Sequence, residues 1–189
     1  MLISMTPVRQ TYVWDPFVRV FHWALVAAFA VAYLTEDDLL DIHVWAGYVV
    51  GALVLARLVW GFAGPRYARF SDFVSGPGTS LRYIRDMLLF RGERHLGHSP
   101  GGGAMVVLLL ILVSATVVTG LIVYGGEEQA GPLAGMVSRA TAENLEDAHE
   151  LLANVTLGFV AVHVLAVIYA SVVYRENLVR SMITGYKRP

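Results

Sequence analysis

Residues 149–163 read HELLANVTLGFVAVH, an apolar run with one histidine at each end. His149 and His163 stand 14 residues apart (163 − 149). On an α-helix that is about 1400°, roughly 40° short of four turns, so both imidazoles leave one face. The rise between them is about 21 Å, against about 30 Å for the hydrocarbon core of a bilayer. Two imidazoles on one face at two depths suggest two stacked sites. The competing reading is an ordinary helix seam with a polar residue at each end. Ionisable groups at membrane depth are rare and point to function.

The elements that must carry these residues follow from composition. The 189 residues are 56 % hydrophobic and 15 % charged, with a mean hydropathy of +0.58. That is the profile of a multi-pass membrane protein rather than a soluble domain. The net charge of −1 excludes nothing by itself, and no nucleic-acid partner is expected. There is no cysteine. Disulfides, iron–sulfur clusters and covalent c-type haem attachment are therefore excluded. Four apolar spans stand out, at about 17–34, 42–63, 103–124 and 151–174, each near the roughly 20 residues a crossing helix needs. The first is flanked by Arg9, Asp15 and Arg19, contains His22 and lacks a cleavage site, so it is not a signal peptide. The first 16 residues are expected to lie along the membrane surface.

Charge sets the expected orientation. The connections 35–41 and 125–150 are acidic, whereas 64–102 carries Arg66, Arg69, Arg82, Arg85, Arg91 and Arg94. By the positive-inside rule the 64–102 segment and both termini are cytoplasmic, and the acidic connections face a periplasm. Within 64–102, residues 79–91 place Leu81, Ile84, Leu88 and Leu89 opposite the arginines. This predicts an amphipathic helix lying on the membrane lipids. The fold expected over 1–189 is thus a single all-α integral membrane domain. It is a four-transmembrane-helix bundle with an interfacial helix between the second and third spans.

Depth now pairs the histidines. His43 and His149 open the second and fourth spans on the periplasmic side, while His22 and His163 lie towards the cytoplasm. Two histidines per level are too few for zinc, which takes four close N, S or O ligands. They suit haem, whose iron needs one axial histidine from each side of a flat ring. A ring also needs small neighbours, and Gly47, Gly51 and Gly158 could supply them, although GYVVG also reads as a helix-packing motif. Arg19 and Arg57 are candidate partners for haem propionates, and either could instead snorkel to the interface.

WDPFVRVFHW (14–23), HVWAGYVVGALVLARLVWGF (43–62), GHSPGGG (97–103), HELLANVTLGFVAVHVLAVIYAS (149–171) and the closing RENLVRSMITGYKRP resemble one known family. It is the bacterial cytochrome b561 and nickel–iron hydrogenase cytochrome b family, which includes formate dehydrogenase gamma subunits. The resemblance implies a four-helix inner-membrane cytochrome with two non-covalent haem b groups. It makes His22, His43, His149 and His163 the axial ligands, as depth alone suggests. It also implies electron transfer between quinone and a redox partner, with four spans where the larger hydrogenase subunits have five.

Two functional classes follow. One is an electron-transfer subunit joining the quinone pool to a periplasmic c-type cytochrome or another redox subunit. The other is a stand-alone superoxide:quinone oxidoreductase, which would need a cationic funnel where this sequence is acidic. His95 and His98, in RHLGHSP, are candidates for proton exchange beside a cytoplasmic quinone, and ordinary loop histidines are the competing reading.

Overall fold

The computed structural model describes residues 10–36 and 39–189. In chain order the elements are β1 (Thr11–Tyr12), α1 (Pro16–Leu34), α2 (Leu40–Ala63), a 3₁₀ turn (Arg66–Ala68), α3 (Phe70–Phe73) and α4 (Pro77–Leu88). Then come α5 (Pro100–Glu127), α6 (Arg139–Val173), α7 (Leu178–Thr184) and β2 (Tyr186–Lys187). Among the described residues α1, α2, α5 and α6 are long and apolar enough to cross a membrane. The four-helix expectation therefore holds.

Local chemistry sets the helix starts. Asp15 caps α1 by accepting from the Val18 N–H at 3.2 Å, with Pro16 in the first turn. Ser99 caps α5 by accepting from Gly102 at 3.1 Å, with Pro100 next. A side-chain acceptor at this position satisfies an N–H that the helix leaves free, and proline has no N–H to waste there. Ser138 caps α6 by accepting from Thr141, so that helix begins well before the apolar run at 151. Its first turns, RATAENLEDAHE, are polar and carry no hydropathy signal. At 35 residues α6 is about 52 Å long, so about two-fifths of its length exceeds the roughly 30 Å of a bilayer core.

The helices pack as two pairs. α1 lies along α2 and α5 lies along α6, and the pairs meet chiefly through α2 and α5. Val50 and Val54 of α2 and Val113 of α5 form the buried core, with Leu25, Ala28 and Val117 against it. α6 makes no comparably close backbone approach to α1 or α2. The side chains that bridge this gap include Tyr33, whose hydroxyl donates to Asn154 Oδ1 at 2.6 Å, and the histidines described below. The α1–α2 and α5–α6 links mark one end of the bundle, the hairpin end. The sheet, α3, α4 and α7 mark the other, the tail end.

Residues 77–88 form the amphipathic helix expected at 79–91. Leu81, Ile84 and Leu88 are exposed, while Ser80 faces α5 and donates to the Pro100 carbonyl at 3.1 Å. The apolar row is left for lipid. Within the N-terminal stretch, Thr11 and Tyr12 pair antiparallel with Lys187 and Tyr186. Residues 1–9, including Arg9, lie outside the described residues.

A buried ion cluster secures this tail. Glu176, 6 % exposed, takes two hydrogen bonds from Arg94, at 3.0 and 3.2 Å, and one from the Arg188 N–H at 3.1 Å. Lys187 lies 3.6 Å from the same carboxylate and donates to the His95 carbonyl at 3.0 Å. Burial alone would push the Glu176 carboxyl up. The Arg94 hydrogen bonds, the Lys187 charge and the Arg188 N–H outweigh it and hold the group below the usual glutamate range. Glu176→Gln leaves the Lys187 ammonium, itself 6 % exposed, without its counter-charge and should cost about 3 kcal/mol. The folded-state carboxyl titrates low, so its contribution is complete at neutral pH and is lost as pH falls through that lowered value. A thermal melt of the variant that matches wild type at pH 7 would contradict this.

Candidate functional site

Two pairs of imidazoles face each other across the gap between α6 and the α1–α2 pair. At the hairpin end the ring centres of His43 and His149 are 6.0 Å apart. At the tail end those of His22 and His163 are 6.4 Å apart. A metal between two imidazoles requires two bonds of about 2 Å plus roughly 1 Å from each nitrogen to its ring centre, or about 6 Å in all. Both pairs meet that spacing. The rings that depth pairs are neighbours at each end of the bundle.

The hairpin-end rings are held in one tautomer. His43 Nδ1 lies 2.9 Å from the Ala32 carbonyl in the last turn of α1, an oxygen that also accepts from the Thr35 N–H at 3.3 Å. His149 Nδ1 lies 2.9 Å from the Thr116 carbonyl and 3.2 Å from Thr119 Oγ1. A carbonyl only accepts, so each Nδ1 carries the proton and each Nε2 keeps its lone pair for a ligand. Gly120 makes room for this, since a Cβ there would stand 2.7 Å from His149 Cε1. A largely apolar cavity opens beside the rings, lined by His43, Gly47, Thr116, Gly120, Tyr124 and His149 among others. A Cβ added at Gly47 meets no atom within 4 Å. Donor set, spacing and cradle all fit a flat group ligated from both faces. Among the described residues no cluster of three or more His, Asp or Glu forms a conventional metal site.

The other sequence candidates separate. Arg57 is 2 % exposed, donates from Nη2 to the Ala68 carbonyl at 3.1 Å and lies over the Phe70 ring at 5.0 Å. It does not snorkel. Arg19 donates to the Ile183 carbonyl at 2.7 Å and so ties α1 to α7. At Gly51 a Cβ would stand 3.1 Å from Val117 Cγ1, so this glycine serves close packing of α2 on α5.

Gly158 is corrected. It is exposed, because nine residues from His149 turn the helix by about 900°, half a turn off the histidine face. Thr156 holds the position between the two histidines instead, with no exposed surface. His95 and His98 both line a polar cavity with Arg66, Tyr67, Asp72 and Arg94. Nδ1 of His95 lies 3.0 Å from the Glu93 carbonyl. The His98 ring is packed between Trp14 at 4.7 Å and Phe73 at 4.5 Å. Burial, then the charge of Arg57, lowers its pKa to about 3, so this imidazole is neutral.

Sequence reading missed the backbone acceptors at Ala32 and Thr116, which any residue type could provide. It also missed Gly120, whose only signal is a glycine within the third span.

The family model for prokaryotic cytochrome b561 matches residues 13–185. The chain belongs to that family. It is therefore a membrane b-type cytochrome of the prokaryotic kind, a haem b protein that carries electrons. The chain is also 24 % identical over 221 aligned positions to a probable Ni/Fe-hydrogenase B-type cytochrome subunit of Cupriavidus necator, covering 95 % of this chain and 88 % of that one. No solved structure matches the chain significantly.

The two hairpin-end glycines separate cradle from packing. Gly47→Leu fills open space without a clash, so the protein should fold and melt as wild type while losing the absorbance of one haem. Gly120→Val strikes the His149 ring and should lose the same haem together with some stability. A G47L variant with full haem content would contradict the cradle.

Proposed function

We propose that the protein holds two non-covalent haem b groups, one between His43 and His149 and one between His22 and His163. It passes electrons between the quinone pool and a redox partner on the opposite face of a bacterial inner membrane. The observation that carries this is the two pairs of neighbouring imidazoles, at 6.0 and 6.4 Å, one pair at each end of the bundle. With both axial positions filled, haem b supplies one-electron exchange rather than oxygen binding. The chain's part is to fix the rings, to exclude water with the Val50–Val54–Val113 core between the two levels, and to offer each end a different neighbour.

The tail end is the proposed quinone side, and by its arginines the cytoplasmic one. The exposed apolar row of α4 gives lipid access there. His95 lines the polar cavity through which protons would exchange with a quinone head group, whereas His98, held neutral by burial, takes no part in that exchange. The hairpin end is the proposed partner side. Glu36, Glu127 and Glu128 border the cavity beside His43 and His149, which suits a basic c-type cytochrome or the docking surface of a hydrogenase-like subunit. The same acidity opposes the superoxide:quinone alternative, since superoxide is an anion.

A pyridine haemochrome assay should return two haems per chain. His43→Ala and His149→Ala should each remove one spectral component, and His22→Ala and His163→Ala the other. Equal losses from H43A and H163A would break the pairing. Neutralising Glu36 together with Asp37 and Asp38, which lie outside the described residues, should slow exchange with a basic cytochrome several-fold. It should also flatten the salt dependence and leave quinol-driven haem reduction unchanged. Loss of quinol reactivity with partner reactivity intact would swap the two ends.

A further inference from the structure

Five buried side-chain nitrogens have no hydrogen-bond partner among the described residues: Arg19 Nε, His22 Nδ1, Arg57 Nη1, Trp60 Nε1 and His98 Nδ1. All five belong to the tail end. Unpaired buried donors are rare in folded proteins, and a buried charge without a counter-charge rarer still. Arg57 has one carbonyl and two aromatic rings around it, and it forms no ion pair among the described residues.

Its position is defined by spacing. Arg57 follows His43 on α2 by 14 residues, as His163 follows His149 on α6. Both intervals return to the same helix face about 21 Å further along. Arg57 therefore lies level with His22 and His163, on the side of α2 that carries His43. Phe73 joins it to His98, with the guanidinium 6.0 Å and the imidazole 4.5 Å from that ring. Trp60, one turn on, packs against Phe17 of α1 at 4.7 Å. Phe70 fixes this arrangement by seating its ring directly on Gly61, where any Cβ would collide with it. The cluster thus offers one cation and several neutral N–H groups, and a bound carboxylate is the chemistry that would satisfy them.

We propose that Arg57, with His98 and Trp60 beside it, receives the propionates of the haem at His22–His163 and raises that haem's potential above the potential of the other. The proposal rests on the two-haem reading above. Reduction adds an electron, which a nearby buried cation stabilises. At the hairpin end the opposite influence acts, because both Nδ1–H groups donate to carbonyls. Such bonds make an axial imidazole more basic and favour ferric iron. His22 Nδ1 has no such partner. Both effects order the potentials the same way.

Redox titration of the purified holoprotein, followed by absorbance and by resonance Raman, tests this. His22→Ala and His43→Ala assign the two components. The component left in H43A should titrate at a higher potential than the component left in H22A. Arg57→Gln should keep both haems and shift only the component missing from H22A to lower potential, and Arg57→Lys should reverse part of the shift. Trp60→Phe keeps the ring, removes the N–H, and should move the propionate bending band of one haem. Unchanged potentials and bands in R57Q, or a shift in the component missing from H43A, would overturn the proposal. If R57Q does not fold, unchanged bands in both R57K and W60F would overturn it and a shift of the expected component would support it. A wild-type protein with one haem, or an H22A variant with two, would instead overturn the two-haem reading on which it depends.

Discussion

Everything in the bundle is subordinate to two facing pairs of imidazoles in an apolar interior. An imidazole there must have its donor satisfied and its lone pair used, since each unmet polar group is costly away from water. At the hairpin end the Ala32 and Thr116 carbonyls take the Nδ1 protons. That leaves each Nε2 with a free lone pair, and the two ring centres stand 6.0 Å apart. A metal held by one ligand from each side, as proposed, would resolve the problem that the fold itself creates.

The packing explains how the gap survives. α5 binds α6 closely and α2 closely, while α6 stays apart from α1 and α2. Glycine decides where contact is close. Gly51 brings α2 against Val117, and Gly120 admits the His149 ring, while Gly47 is left facing open space. The valine core sits between the two histidine levels, so apolar packing separates them without closing either. At the tail end Arg94, Glu176 and Lys187 join the α4–α5 loop to the C-terminal strand. The sheet in turn fixes the segment that leads into Asp15 and α1. His22 is thus placed from a chain end that would otherwise be free.

Much of the site was legible because helix geometry turns spacing into depth. The interval of 14 residues on α6, repeated between His43 and Arg57 on α2, needs only 3.6 residues per turn to be read. Apolar length showed the four spans for the same reason. What stayed illegible depends on partners distant in sequence. The Arg94–Glu176 pair spans 82 positions, and a two-residue strand has no periodicity to detect. The carbonyl acceptors leave no mark because every residue has one. The polar opening of α6 was hidden because hydropathy registers burial in lipid, not helix. Gly158 was misplaced by counting it as lying between two histidines without turning the helix: nine residues is half a turn off their face, whereas the seven to Thr156 is nearly two full turns.

Quantitative electron paramagnetic resonance of the oxidised, purified protein tests the central claim most directly. Two bis-imidazole irons require two low-spin ferric signals whose integrated intensity is two spins per chain. A high-spin ferric signal in undamaged protein, or one spin per chain, would contradict the ligation assigned to His22, His43, His149 and His163.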